Sequence, residues 1–289
     1  MHWVIEAARP RTLPAAIAPV VVGTAAAYRP VVDTDWIRCV LALVVALGLQ
    51  IAVNYANDLF DGVKGVDTPD RVGPRRAVAA GLASPRAMAA ATIAAILASA
   101  SAGVVLAVQV GWELLIVGAL AIVAALGYSG GRRPYASKGL GEVSVFVFFG
   151  LVATVGSQYV QDAQIRPLAV VAAVPIGLLA VALLLVNNIR DIPTDAVASK
   201  RTLAVRLGDG RSRRVFQVLI LSSVVWLAPI SAATASLWPL LGLAAAPIGW
   251  RAVSIVGDGA AGKNLIAALE ATARFQLLYA LLLAIGVVL

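Results

Sequence analysis

The sequence predicts an all-α integral membrane protein, with nine transmembrane helices packed in one bundle. Three observations predict it. Of the 289 residues, 61% are hydrophobic and only 13% are charged, whereas a soluble domain carries about a quarter of its residues as charges. The apolar residues form runs that approach or exceed the roughly 20 residues a helix needs to cross a bilayer. The Lys and Arg residues fall in alternate loops, as the positive-inside rule requires. Backbone groups in hydrocarbon must be satisfied within the protein, so the runs read as helices. Abundant Ala, and Gly at 25 positions, suit the close helix contacts that form in lipid.

Taken in order, spans are expected at about 13–28, 37–56, 87–109, 112–128, 142–160, 167–187, 215–233, 237–254 and 269–288. Residues 1–12 are polar and basic and show no cleavable signal pattern. The eighth span holds Pro239 and Pro247, which disturb a regular helix. With the N-terminus and the loops after helices 2, 4, 6 and 8 on one side, that side carries every basic residue except Arg29, Arg38 and Arg166. It is therefore expected to face the cytoplasm. Its loops after helices 2 and 6 are long, and long loops that can close over a cavity often carry function. The net charge of +8 reads as topology and lipid-headgroup attraction, with no nucleic-acid partner. The chain is expected to form a single domain over residues 1–289, in two pseudo-repeat halves with motifs at 54–67 and 187–195.

Composition narrows the chemistry. The only Cys is Cys39 and the only His is His2, which excludes an internal disulfide and any His or Cys metal cluster. A bound metal must take oxygen ligands, which points to magnesium or a similar hard cation. No Walker-type loop is present, and Ser129 and Ser137 have no histidine to activate them.

The polar residues in apolar surroundings concentrate in two places. The first runs Asn54-Tyr-Ala-Asn57-Asp58-Leu-Phe-Asp61-Gly-Val-Lys64-Gly-Val-Asp67. On a helix, Asn57 and Asp61 are four apart and Asp58 and Asp61 three apart, so they share a face. The second runs Asn187-Asn188-Ile-Arg190-Asp191-Ile-Pro193-Thr-Asp195. Asn188, Asp191 and Asp195 share a face only if the helix survives Pro193, which tends to break or kink it. Carboxylates at the end of a membrane helix are costly and mark function. Bringing like charges together calls for a cation between them. Basic residues follow both stretches: Lys64, Arg71, Arg75 and Arg76 after the first, Lys200, Arg201 and Arg206 after the second. Between them lies Tyr128-Ser-Gly-Gly-Arg132-Arg133-Pro-Tyr135-Ala-Ser-Lys138. Metal and fixed cations together suit a diphosphate, because they stabilise charge on a departing phosphate oxygen. Phe146, Phe148 and Phe149 read as packing residues, with cation–π contact to a carbocation as the alternative.

These residues resemble the UbiA superfamily of intramembrane prenyltransferases, a nine-helix bundle with aspartate-rich motifs on helices 2 and 6. Asn57, Asp58 and Asp61 match the first motif, with Asp67 displaced by two positions, and Asp191 and Asp195 match the second. Within the family, Arg9-Pro-Arg11-Thr-Leu-Pro14, Gly139-Leu-Gly-Glu142 and the run from Asn188 into Lys200-Arg-Thr-Leu203 resemble the branch that acts on 1,4-dihydroxy-2-naphthoate. The resemblance implies a bacterial inner-membrane enzyme of menaquinone synthesis. It would transfer a polyprenyl group from a prenyl diphosphate to that acceptor, with loss of diphosphate and carbon dioxide. It implies magnesium held by Asn57, Asp58, Asp61, Asn188, Asp191 and Asp195, the four aspartates being the catalytic carboxylates. Lys64, Asp67, Arg71, Arg132, Lys138 and Lys200 are then expected at the substrate, with Tyr128, Tyr135 and Glu142 near the acceptor. The prenyl tail is expected between helices, open to membrane lipid. The alternatives are another aromatic acceptor, of the 4-hydroxybenzoate or homogentisate type, and a secondary transporter. A transporter's coupling acids belong near the bilayer midplane, whereas these sit at one interface.

Overall fold

The computed structural model describes residues 2–29, 34–65, 73, 76–132 and 134–289, and among these every regular element is helical. A short α1 (His2–Ala8) precedes the bundle. The bundle is built from α2 (Pro14–Ala27), α3 (Trp36–Val63), α4 (Pro85–Gln109), α5 (Glu113–Ser129), α6 (Gly141–Asp162) and α7 (Pro167–Val197). Then come the short α8 (Leu203–Leu207) and the longer α9 (Asp209–Thr234), α10 (Trp238–Gly257) and α11 (Leu265–Val288).

Among the described residues, 7 helices are long and apolar enough to cross a membrane. The other two expected spans, the first and the fourth, are α2 and α5, apolar helices of 14 and 17 residues. The expected nine crossings thus stand at seven by length, with two shorter apolar helices beside them. The first part of α10, Trp238–Ala245, is wound as a 3-10 helix where Pro239 falls. The protein is a multi-pass membrane protein.

Local chemistry sets the helix ends. Asp35 caps α3 by accepting from the Arg38 amide at 3.0 Å, and Ser84 caps α4 by accepting from Ala87 at 3.1 Å, with Pro85 next. The core lies around α7, whose apolar stretch is 72% buried, against 22% for α3. Small residues bring the central helices together. A Cβ on Gly150 of α6 would lie 2.6 Å from the Gly177 Cα of α7, and one on Gly23 of α2 would lie 2.2 Å from the Thr154 carbonyl oxygen. Only glycine permits either approach. The same stretch of α6, Phe146–Val152, is a π-helix, and the Phe146 ring lies over Gly177. Such wide turns often accompany functional sites.

Both aspartate-rich stretches are more helical than hydropathy suggested. The expected spans stop near 56 and 187, but α3 runs to Val63 and α7 to Val197. Hydropathy reports only the part of a helix that meets hydrocarbon, and these helices carry on beyond it as polar turns. Pro193 lies inside α7 without ending it. The Thr194 hydroxyl donates to the Asp191 carbonyl at 3.0 Å in this turn. The helix stops at Val197, four residues after Pro193, in a Schellman closure: the Lys200 amide donates to the Asp195 carbonyl at 2.8 Å and the Ser199 amide to that of Ala196 at 3.2 Å. Ser199 has φ 57, the left-handed conformation usually given to glycine there. Ser199→Gly is therefore expected to stabilise the fold by about 0.5 kcal/mol, the left-handed penalty less the added entropy of the unfolded chain. A higher thermal midpoint in detergent checks this.

Candidate functional site

The two polar helix ends meet over one cavity of about 430 Å³. Asn57 and Asp61 of α3 and Asn188, Asp191 and Asp195 of α7 all line it. The structure brings these five residues of the two stretches together at one end of the cavity. A direct contact joins them: the Lys200 Nζ lies 3.3 Å from the Asp61 Oδ2, across 139 residues of sequence. The turn that ends α7 aims Lys200 back over the site. Arg76 reaches the same Asp61 oxygen at 3.8 Å. Arg190 grips Asp191 with two hydrogen bonds, at 2.8 and 2.9 Å. Each carboxylate lies below 10% exposure, so these cations offset a desolvation cost that unpaired carboxylates could not bear.

The amides are also held. Ser129 donates to the Asn57 Oδ1 at 2.6 Å. The Asn188 Nδ2 donates to the buried Glu142 at 2.9 Å, leaving the Asn188 Oδ1 for other partners. Below the polar end the cavity runs between α3, α4, α5 and α6, past Val53, Leu49, Ala46 and Ala42 to Leu106 and Val160. Phe148 and Phe149 line this apolar part. One cavity is thus ionic at one end and apolar along its length.

Other expected residues fall elsewhere. Asp58 does not line the cavity; at 1% exposure it accepts from the Ala77 amide at 2.8 Å and the Val78 amide at 2.9 Å. It thereby ties the segment carrying Arg76 to α3. Asp58→Ala is expected to cost about 2–3 kcal/mol, the loss of two hydrogen bonds to a buried charge, read as a lower denaturation midpoint. Lys64 donates to the Ser129 and Gly131 carbonyls at 2.8 and 2.9 Å, with its Nζ 5.8 Å from the Phe60 ring centroid. It therefore braces the end of α5 and does not line the cavity. Arg132 and Lys138 are exposed and outside the lining. Asp67 and Arg71 lie outside the described residues. Tyr128 and Tyr135 both line the cavity, their rings edge to face at 5.6 Å. The Tyr135 hydroxyl donates to the Ala124 carbonyl at 2.8 Å, and burial pushes its pKa up, so it stays protonated near neutral pH. Glu142 reaches the cavity only through Asn188.

Sequence reasoning named Arg76 and Arg190 only among the residues in or after the two stretches, without a role of their own, and gave Arg9 no place in the site; Arg9 and Arg76 line the cavity and Arg190 holds Asp191. No composition signal separates a site arginine from one that sets orientation. Among the described residues, no group of three or more His, Cys, Asp and Glu side chains is close enough to hold an ion alone. The donor set is carboxylate and amide oxygen, which fits a cation that completes its shell with phosphate oxygens and water.

An oxygen-rich site contributed by two helix ends thus stands at one end of an apolar cavity in an all-helical membrane fold. The chain belongs to the UbiA prenyltransferase family, whose model matches residues 16–261. The relatives are particular. A Mycobacterium tuberculosis protein named 1,4-dihydroxy-2-naphthoate octaprenyltransferase is 46% identical over 98% of this chain and 95% of its own length. An Escherichia coli protein of the same name is 39% identical over 98% of this chain and 94% of its own. Among solved structures, an Archaeoglobus fulgidus UbiA homolog bound to GPP and Mg2+ superposes with a TM-score of 0.67 at 15% identity, covering 97% of this chain and 99% of that one. An apo UbiA homolog from Aeropyrum pernix gives 0.70 at 15% identity, over 91% and 94%. At that identity the likeness is one of fold.

Proposed function

We propose that this protein transfers a polyprenyl group from a prenyl diphosphate to 1,4-dihydroxy-2-naphthoate. Diphosphate and carbon dioxide are released, the prenyl group taking the place of the carboxylate with no net release of a proton, and the product is the demethylmenaquinol of menaquinone biosynthesis. The observation that carries this reading is near-full-length similarity to relatives of that name, in a chain where a cavity joins clustered carboxylates to an apolar channel. The polar end is assigned to the cytoplasmic face of a bacterial inner membrane, a reading that the basic loops and the family resemblance support.

Asp61, Asp191 and Asp195, with the oxygens of Asn57 and Asn188, would hold magnesium. When bound, it neutralises the diphosphate so that the allylic C–O bond can break. Arg76 and Lys200, already gathered at Asp61, add positive charge beside the leaving group. Asp58 holds the Arg76 segment in place. The apolar wall takes the prenyl tail and keeps water from the developing allylic cation. Phe148 and Phe149 offer that cation ring faces. The electron-rich acceptor ring then attacks, with Tyr128 and Tyr135 on its side of the cavity.

The test is purified protein with magnesium and a prenyl diphosphate, offered dihydroxynaphthoate, 4-hydroxybenzoate or homogentisate in separate reactions. Mass spectrometry is expected to find a prenylated, decarboxylated naphthoquinol. Prenylation of only the other acceptors would overturn the assignment.

A further inference from the structure

Arg9 sits in the bend between α1 and the Pro10–Thr12 turn, at φ 52 and ψ 70. The left-handed region costs a non-glycine residue roughly 1–2 kcal/mol, and a following proline favours extended backbone. Such strain persists only where the surroundings over-determine it, and it clusters at ligand sites. Here the surroundings are specific. On α3, Asn54 donates to the Ala8 carbonyl at 2.9 Å, and Gln50 donates to the Thr12 hydroxyl at 3.0 Å. The Thr12 hydroxyl in turn donates to the Arg9 carbonyl at 3.0 Å. One helix therefore clamps both flanks of the strained residue.

The clamp places Arg9 in the cavity lining with Thr12, Gln50, Asn54 and Tyr128. The Arg9 charge is close enough to Tyr128 for the two to interact electrostatically. The other two cations in the lining, Arg76 and Lys200, gather at Asp61. The cavity thus has basic residues at Asp61 and a further basic residue, Arg9, in the lining with Thr12, Gln50, Asn54 and Tyr128.

The proposed reaction brings two anions together, a diphosphate and an aromatic acceptor carrying a carboxylate. Metal and the cations at Asp61 answer the first. The second carries like charge and needs its own counter-ion, and a guanidinium suits a carboxylate because it can donate two parallel hydrogen bonds. Resting on the function proposed above, we propose that Arg9 binds the carboxylate of the aromatic acceptor. Gln50, Asn54 and Thr12 fix its backbone for that purpose.

The test compares the wild type with Arg9→Gly and Arg9→Lys, because glycine takes this backbone conformation without strain. Each enzyme is given 1,4-dihydroxy-2-naphthoate and, separately, 1,4-dihydroxynaphthalene, which lacks the carboxylate. KM is measured for both, or Ki where the diol is not turned over. Arg9→Gly is expected to raise KM for the naphthoate about 30-fold or more, the loss of a charge-assisted pair. The constant for the diol and the KM for the prenyl diphosphate should move less than about 3-fold, and Arg9→Lys should recover part of the loss, as a charge without the fork. Equal weakening of naphthoate and diol, or a rise confined to the prenyl diphosphate, would overturn the assignment of Arg9. A wild type that prenylates only another aryl carboxylate would overturn the naphthoate reading instead, and the Arg9 comparison would then be read on that acid. A wild type inactive with every acceptor would overturn both.

Discussion

Asp61→Ala is expected to lower prenyl transfer by roughly 10²–10³-fold, the scale on which removing one preorganised electrostatic group reduces a rate. Asp61 is the point at which the two halves of the site converge, since both Lys200 and Arg76 reach its Oδ2. The substitution removes an oxygen from the proposed metal set and also leaves two cations facing each other in a buried place. Stability should fall too, by about 3 kcal/mol for a broken buried pair. Added pyrophosphate with magnesium should restore part of the lost midpoint, because the anion takes over the missing charge. Rate and thermal midpoint together check this. A variant that keeps its turnover would show that Asp61 serves only as a counter-ion to Lys200.

Ala46→Phe acts at the other end of the cavity. Ala46 lines the channel on α3, between Leu49 and Ala42. A benzyl group there would occupy the space in which a long prenyl tail lies. Turnover with octaprenyl diphosphate should drop at least about 10-fold, the effect of forcing roughly 1–3 kcal/mol of overpacking. Geranyl diphosphate, whose tail ends nearer the aspartates, should lose much less. The two donors assayed side by side separate a blocked channel from a damaged site, because a damaged site would slow both alike.

The bundle was legible in the sequence because hydrocarbon imposes long apolar runs. The oxygen-rich site was legible as well: Asn57 and Asp61, and Asn188, Asp191 and Asp195, fall on shared faces by helical spacing and meet in the cavity. What spacing could not reveal was which polar atoms are already committed within the fold. Asp58 is next to Asn57 in the motif, yet it turns to backbone amides at Ala77 and Val78. Lys64 turns to carbonyls at Ser129 and Gly131. These partners lie in turns and at the end of α5, where the path of the chain is a tertiary property. Asp195 presented the opposite case. Pro193 argued for a break, but a helix that packs along its length in the core, with its end closed at Lys200, overrides one missing amide donor. Arg9 was concealed by its position, since a basic residue ahead of the first span is what topology alone would place there.

The central claim is that the two aspartate-rich helix ends form one magnesium-dependent diphosphate site. Titration calorimetry with a non-reactive thio-analogue of geranyl diphosphate tests it most directly, in magnesium and in EDTA, on wild type, Asp61→Ala and Asp191→Ala. The account predicts binding by the wild type in magnesium, loss of binding in EDTA, and weakening of at least about 10-fold in each variant, the scale of losing one charged contact. Undiminished binding in EDTA, or by either variant in magnesium, would contradict it.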